Sequence, residues 1–406
     1  MSRLQACIGL VAILLVLFSP TGGFASELAT LTGYVTDPSG LRIPQSRVQV
    51  TNIETNVSYA GETNDVGLYR VSNLPPGQYR LIIQKNGFKT VVKQDIDLHV
   101  QDVIALNFQL ELGSVAESVT VEGGSPMIET ADGSVSTVVD RNFAENLPMN
   151  GRSFQTLIQL TPGVVVAPTN VRDGGQFSIN GQRAASNYWM VDGVGANIGI
   201  GVNANGNPGN GLAGAANSFS ALGGTNSLVS VDAMQEFRIQ TSTYAPEFGR
   251  SPGGQISIAT RSGTNQFHGT AFDYLRNDAL DGNNWFNGFT NNPALPKAKE
   301  RQNDFGGTFS GPVFKSRTFF FFSYEGLRLK LPQTTFTTVP DLIARQSATP
   351  ALQPFLNAFP LPNGADNPST GIAQFNASYS NPASLDAYSL RADHRLKDTI
   401  SFWWTI

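Results

Sequence analysis

The sequence is poor in cysteine, histidine and charge. One of its 406 residues is cysteine, Cys7, so neither an internal disulfide nor a thiolate zinc site can form. The three histidines, His99, His268 and His394, lie far apart and share no metal-ligand spacing. Charged residues make up 14% of the chain, against about 25% in an ordinary soluble protein. The balance of 27 Lys and Arg against 31 Asp and Glu lacks the basic excess with which nucleic-acid binders meet phosphates. With 41 glycines and 23 prolines, a long helical bundle is disfavoured. After the first residues no run of 18 apolar residues occurs, so a membrane assignment has to rest on β-strands. Asp278 and Asp281 form an acidic pair, but in a polar stretch with nothing to shift a pKa. We therefore expect no enzymatic activity, no metal and no other cofactor.

What is present begins with an export signal. Arg3 precedes an apolar run over 6–18, Ser19-Pro20 breaks it, and Gly23-Phe24-Ala25 supplies the small residues of a cleavage site. The run is shorter than the roughly 20 residues of a membrane anchor, so residues 1–25 read as a secretory signal peptide. The exported chain then carries no cysteine, as suits a protein that uses no disulfides.

Residues 27–112 contain β-prone runs at 31–36, 47–52, 57–63, 68–71, 78–84, 89–92 and 103–110. Turn signals separate them, among them Asp37-Pro38-Ser39-Gly40, Asn64-Asp65-Val66-Gly67 and Asn86-Gly87. About seven strands in so short a stretch, with no helical period, predict a β-sandwich. Residues 113–262 mix elements. Asp140 is placed to cap a short helix through Asn146, Ser153 a second over 154–160, and a third is expected over 226–234. Strands are expected at 176–180, 188–191, 236–241 and 255–260. Between Gly193 and Gly224 the chain is mostly Gly, Asn, Ala and Ser; Gly193, Gly195 and Gly199 lack the spacing of a phosphate cradle, so a long loop is expected. Glu117, Ser118, Val119, Thr120 and Val121 alternate polar with apolar between two glycine-bearing joints. Read alone, they form a linker or an edge strand.

Residues 263–406 suggest longer strands, at 267–276, 301–310 and 318–329, with a final pair about the turn Lys397-Asp398. In the second, Phe305, Gly307 and Phe309 face one way and Gln302, Asp304, Gly306, Thr308 and Ser310 the other. Aromatic clusters, Phe319 to Phe322 and Trp403-Trp404, fall near strand ends as interface girdles do. The polar stretches 278–301 and 332–386 read as long outer loops. A third soluble β-domain is the alternative.

Resemblances sharpen this. Gly33-Tyr34-Val35-Thr36-Asp37, Asn64 to Tyr69 and Leu74-Pro75-Pro76-Gly77-Gln78-Tyr79 resemble the carboxypeptidase regulatory-like domain, an Ig-like sandwich without catalytic residues of its own. Leu147-Pro148 to Gly163-Val164, Ile179-Asn180-Gly181-Gln182-Arg183, Met190-Val191-Asp192-Gly193-Val194, Met234 to Ile239 and Tyr244 to Thr260 resemble, in that order, the plug domain of TonB-dependent outer-membrane receptors. Phe305 to Pro312 and Thr318 to Arg328 resemble early barrel strands of the Oar-like members. The resemblance implies a mainly β chain: an Ig-like β-sandwich, then a mixed α/β plug domain, then the first strands of an antiparallel transmembrane β-barrel. It makes Glu117, Ser118, Val119, Thr120 and Val121 a candidate TonB box, able to add as a strand to a partner's sheet. It implies a TonB-type periplasmic energy-coupling partner, surrounding outer-membrane lipid, an extracellular ligand of unknown identity and energised uptake. A surface adhesion or assembly protein of the same architecture, without active transport, is the alternative. Arg152 and Arg183 become candidates for pairing with carboxylates of the barrel wall, with simple solvation as the equal alternative. Residues 264–406 have room for about five or six strands, whereas a plugged transporter has about 22. We therefore expect the N-terminal portion of a longer receptor.

Overall fold

The computed structural model describes residues 28–121, 133–147, 155–166, 177–182, 186–196, 229–244, 252–282, 299–397 and 400–405. The expected signal peptide, Arg152, Arg183 and most of the stretch from Gly193 to Gly224 lie outside them. The described parts fall into two compact units, one from Met1–Phe267, Ser310–Phe321 and Leu390–Ile406, the other from His268–Phe309 and Phe322–Ser389.

The first unit opens with two packed sheets. Its strands are β1 (Ala29–Thr36), β2 (Arg47–Asn52), β3 (Ser58–Glu62), β4 (Leu68–Leu74), β5 (Gly77–Gln84), β6 (Thr90–Leu98), β7 (Val103–Ala105), β8 (Phe108–Gln109) and β9 (Ser118–Val121). One sheet runs β3-β2-β5-β6-β9; the other runs β4-β1-β7, with β8 also on β1. The inward residues of each strand, such as Val48 and Val50 on β2 and Tyr79, Leu81 and Ile83 on β5, meet in one core, as period-two alternation requires. Two tyrosines use their hydroxyls inside it: Tyr69 donates to the Leu106 carbonyl at 2.8 Å and Tyr79 to that of Pro75 at 2.6 Å. Burial pushes both phenols above their ordinary range, so they stay neutral donors.

The run expected as one strand over 103–110 is two short ones, each parallel to β1. Between them the Leu106 carbonyl presses on Gly33, where a β-carbon would stand 1.8 Å from its oxygen. Only glycine admits that approach. Strand β6 also outruns the expected 89–92. Its register with β5 shifts between Tyr79 and Leu81, and Asp95 (φ 55°) takes up a left-handed conformation there, as in a β-bulge.

After the paired sheets of the sandwich comes the second sheet assembly, in the order β10-β15-β16-β13-β14. Its strands are β10 (Val135–Asp140), β13 (Tyr188–Val191), β14 (Val194–Gly195), β15 (Met234–Ser242) and β16 (Gln255–Thr260), with a separate hairpin of β11 (Val164–Val166) and β12 (Phe177–Ile179). Helix α1 (Arg141–Asn146) is capped as expected, the Asp140 carboxylate accepting the Phe143 amide at 2.8 Å. Helix α2 is Gln155–Ile158. The helix expected over 226–234 is not formed in its described part: a single 3₁₀ turn, Val231–Ala233, leads straight into β15 at Met234. Val229 and Val231 are β-branched and stiff at χ1, which weakens a helix there, and Ser230 makes no side-chain cap. Leu157, Ile158, Phe177, Ile179, Trp189, Phe237, Ile239, Ile256 and Ile258 build this core.

The remaining strands are β17 (His268–Asn277), β18 (Arg301–Phe314), β19 (Thr318–Pro340), β20 (Asp366–Asn367), β21 (Ile372–Lys397) and β22 (Ile400–Thr405), ordered β17-β18-β19-β21-β20 with β22 on β21. The outer loop expected over 332–386 is shorter than that. With 23 and 26 residues, β19 and β21 run into it, leaving 341–371, which carries helices α3 (Leu342–Ser347) and α4 (Gln353–Asn357). Thr337, Thr338 and Val339 keep the backbone extended up to Pro340. Both strands far exceed the roughly 9–11 residues of a membrane crossing. The buried Arg345 ties the loop together, donating to the carbonyls of Pro340, Phe359 and Pro360.

Strand β18 is inverted relative to a soluble sheet. Gln302, Asp304, Thr308 and Ser310 are buried, whereas Phe309 is 50% exposed. Val313, Phe314, Tyr388, Leu390 and Leu396 are likewise exposed. Polar residues inside and apolar residues outside mark a wall facing lipid.

Candidate functional site

The candidate box lies on the sandwich. Ser118, Val119, Thr120 and Val121 form β9, parallel to β6, with Thr90 opposite Ser118 and Lys93 opposite Val121. The carbonyl of Glu117 accepts the Thr90 amide at 2.8 Å, and its carboxylate stands 3.9 Å from the Lys89 ammonium. One edge of the segment is thus paired inside the chain. As the last strand in the sheet order, β9 presents its other edge outward, and Ser118, Thr120 and Val121 are exposed.

A second cluster was not visible from local pattern. Strand β15 carries Glu236, Arg238 and Gln240 on one face and Phe237 and Ile239 on the other, all buried. The apolar face meets the core; the polar face meets the sandwich turn that follows β6. Glu236 accepts from His99 Nδ1 at 2.7 Å and from the Val100 amide. Asp102 pairs with Arg238, whose side chain is 2% exposed. Gln101 Nε2 donates to Ser257 Oγ at 2.7 Å, and Ser257 stands opposite Arg238 in the register of β15 and β16. The turn is held by the Asp102 amide on the His99 carbonyl, by the His99 amide on the Asp102 carboxylate and by Gln101 at φ 62°. A charge as deeply buried as Arg238 needs its partner, because leaving one member unpaired is strongly destabilising.

His99 is pushed up to about 9, first by its hydrogen bond to Glu236, against an opposing effect of burial; the charges of Glu236 and Asp102 raise it further and Arg238 lowers it. A histidine raised in the folded state binds its proton more tightly when docked. Its contribution is complete below its ordinary value of 6.5 and fades as pH rises through about 9. The first urea transition of the receptor in micelles is therefore expected at lower urea at about pH 10 than at about pH 6. Replacing His99 by Gln should reduce that difference, leaving the part that the buried Tyr69 and Tyr79 phenols contribute near pH 10.

A third constellation joins the second sheet to β21. Asp192, left-handed at φ 48°, accepts the Thr260 amide at 2.9 Å and its hydroxyl at 2.6 Å. Arg391 reaches Asp192 Oδ1 at 3.2 Å and the Thr260 carbonyl at 3.0 Å, and is oriented by Asp393 at 2.9 Å. The sequence suggested plug arginines against wall carboxylates. Here the signs are reversed, with the carboxylate on the second sheet and the guanidinium on the strand. Arg152 and Arg183 lie outside the described residues. The Asp192-Gly193 turn was legible as a motif, but its partner 199 residues away was not.

Comparison with known proteins agrees with this architecture. Residues 30–111 match the carboxypeptidase regulatory-like domain and residues 259–348 the outer membrane beta barrel domain. The TonB-dependent transporter Oar of Myxococcus xanthus is 30% identical over 310 residues, covering 73% of this chain and 26% of that protein. The chain thus spans about a quarter of the length of this curated relative. Among solved structures, the siderophore receptor PirA of Acinetobacter baumannii is 16% identical, with 68% of this chain and 31% of that one covered and a TM-score of 0.39. For the outer membrane transporter YddB of Escherichia coli the identity is 14%, the coverage 66% and 31%, and the TM-score 0.41. The chain is therefore an outer-membrane protein that joins a carboxypeptidase regulatory-like domain to β-barrel sequence, and the curated relative it resembles is a TonB-dependent transporter.

Proposed function

We infer that this chain is the energy-receiving part of a TonB-dependent outer-membrane transporter. The observation that carries the reading is the combination of a lipid-facing wall, polar inside on β18, with a separate mixed sheet bolted to β21 through Asp192 and Arg391. A ligand is taken from outside; a TonB-type periplasmic protein pairs with the segment from Glu117 to Val121; its pull displaces the plug, and the substrate passes unchanged. No covalent step is involved, and the relative found by sequence is itself a transporter. The outer edge of β9, which no described strand pairs, supports the assignment, because an edge strand offers unpaired backbone groups to a partner's strand.

Deleting 117–121 from the receptor as its gene encodes it is expected to abolish energised uptake while surface binding of the same ligand persists. Capture of the purified C-terminal domain of a TonB-type protein should be lost with it. Unchanged uptake and capture would remove the box from these residues.

A further inference from the structure

Among the described residues of the first unit, two polar attachments of the sandwich go to different parts. The turn 99–102 grips β15 and β16 through Glu236, Arg238 and Ser257. The segment 54–59 grips chain ends of the wall. Asn265, just before β17, donates its amide to the Glu54 carbonyl at 3.2 Å and its side chain to that of Thr55 at 2.6 Å. The same Asn265 accepts the amide of Ser316, in the turn between β18 and β19, at 2.7 Å. Near the end of β21, Arg395 donates to the Ser58 carbonyl and lies 5.0 Å from the centre of the Tyr59 ring. A cleft of about 330 Å³ lies beside these contacts, lined by Asn56, Ser58, Arg317 and Arg395.

From this geometry we propose that the sandwich is the lock of the plug: it pins β15 and β16 to the short turns of the wall, and a pull on β9 loads the lock before it loads the plug. The pull itself rests on the reading of 117–121 as the box. The order follows from connectivity. Strand β9 is zipped to β6, and β6 ends at Leu98, immediately before the gripping turn. By contrast, the covalent path from Val121 to Val135 has thirteen intervening residues. Stretched out they span at most roughly 43 Å, which bounds how far the sandwich can part from the plug before the covalent path tightens. The resistance is then set by the polar contacts. They suit a lock that reopens, since Glu236, Arg238 and Asp102 are charged groups that water solvates readily once they separate.

The test is to pull on the receptor, as its gene encodes it, in a supported phospholipid bilayer, by an azide-bearing residue in place of Val119. We expect a first rupture before the plug extends. Two paired substitutions, His99→Ala with Asp102→Asn on the plug side and Asn265→Ala with Arg395→Ala on the wall side, should each weaken that first rupture. Heat-modifiable migration on gels reports that each variant has folded. A measurement without substitutions stands beside it: the first rupture of the unaltered receptor should weaken at about pH 10 relative to about pH 6, as His99, facing Glu236, Asp102 and Arg238, loses its proton. Absence of any rupture before plug extension, or one of equal force in all variants and at both pH values, would overturn the lock. Capture of a TonB-type domain separates the two claims: a receptor that captures it but shows no first rupture loses only the lock, and one that shows the rupture without capture loses the box.

Discussion

Replacing Asp192 by alanine is expected to loosen the sheet β10-β15-β16-β13-β14, read here as the plug, from β21. The carboxylate serves three donors at once: the Thr260 amide, the Thr260 hydroxyl and Arg391. Removing it takes a carboxylate from a guanidinium that is nearly buried and that also pairs with Asp393, and removal of one member of a buried pair costs about 3–5 kcal/mol. Asp192→Asn should cost less, because its amide oxygen can still accept the backbone N–H of Thr260. The measurement is the urea concentration at which the plug becomes sensitive to protease while the barrel keeps its heat-modifiable migration. Equal sensitivity of Asp192→Ala and the parent would mean that the plug is held elsewhere.

The second large effect is expected on the lipid face. Phe309 lies half-exposed on β18 between the buried Thr308 and Ser310. An arginine there should destabilise the barrel by about 2–4 kcal/mol if it sits at the bilayer midplane, falling to about 0–1 kcal/mol near an interface. Leu390→Arg tests the same face on β21. In a soluble sheet the sign would differ: an arginine at an exposed position is usually within about 0.5 kcal/mol of neutral. Folding of each variant into phospholipid vesicles, followed against urea, decides between the two.

Much of this architecture was legible because it is local. The strands of the sandwich alternate, turn residues punctuate them, and Asp140 announces its helix. The polar and apolar faces of β18 could be read before anything was known of what lay beside them. Three features were illegible for one reason, that each depends on a partner distant in sequence. The sequence leaves 117–121 as a linker or an edge strand; its parallel seat on β6 is decided by tertiary packing. The polar face of β15 was visible as Glu236, Arg238 and Gln240 at alternate positions, a pattern that demands a polar cover, yet nothing local points to His99 and Asp102 more than 130 residues earlier. Asp192 likewise meets Arg391 across 199 residues. The expected helix over 226–234 and the expected loop over 332–386 failed differently. In the first, β-branched valines weaken the helix to a single 3₁₀ turn before β15; in the second, β-branched residues keep the backbone extended where composition suggested a loop.

The most direct test of the account places a cysteine at Val119 and asks what it touches. The C-terminal domain of a TonB-type protein, carrying single cysteines along its own edge strand, is presented to the receptor under oxidising conditions. Pairing strand to strand predicts a disulfide with alternate positions of that edge and none with the positions between. A cysteine at Val66, exposed elsewhere on the sandwich, should give no adduct. Adducts that form equally at Val66, or none at Val119, would contradict the claim that this protein is driven by a partner pulling on β9.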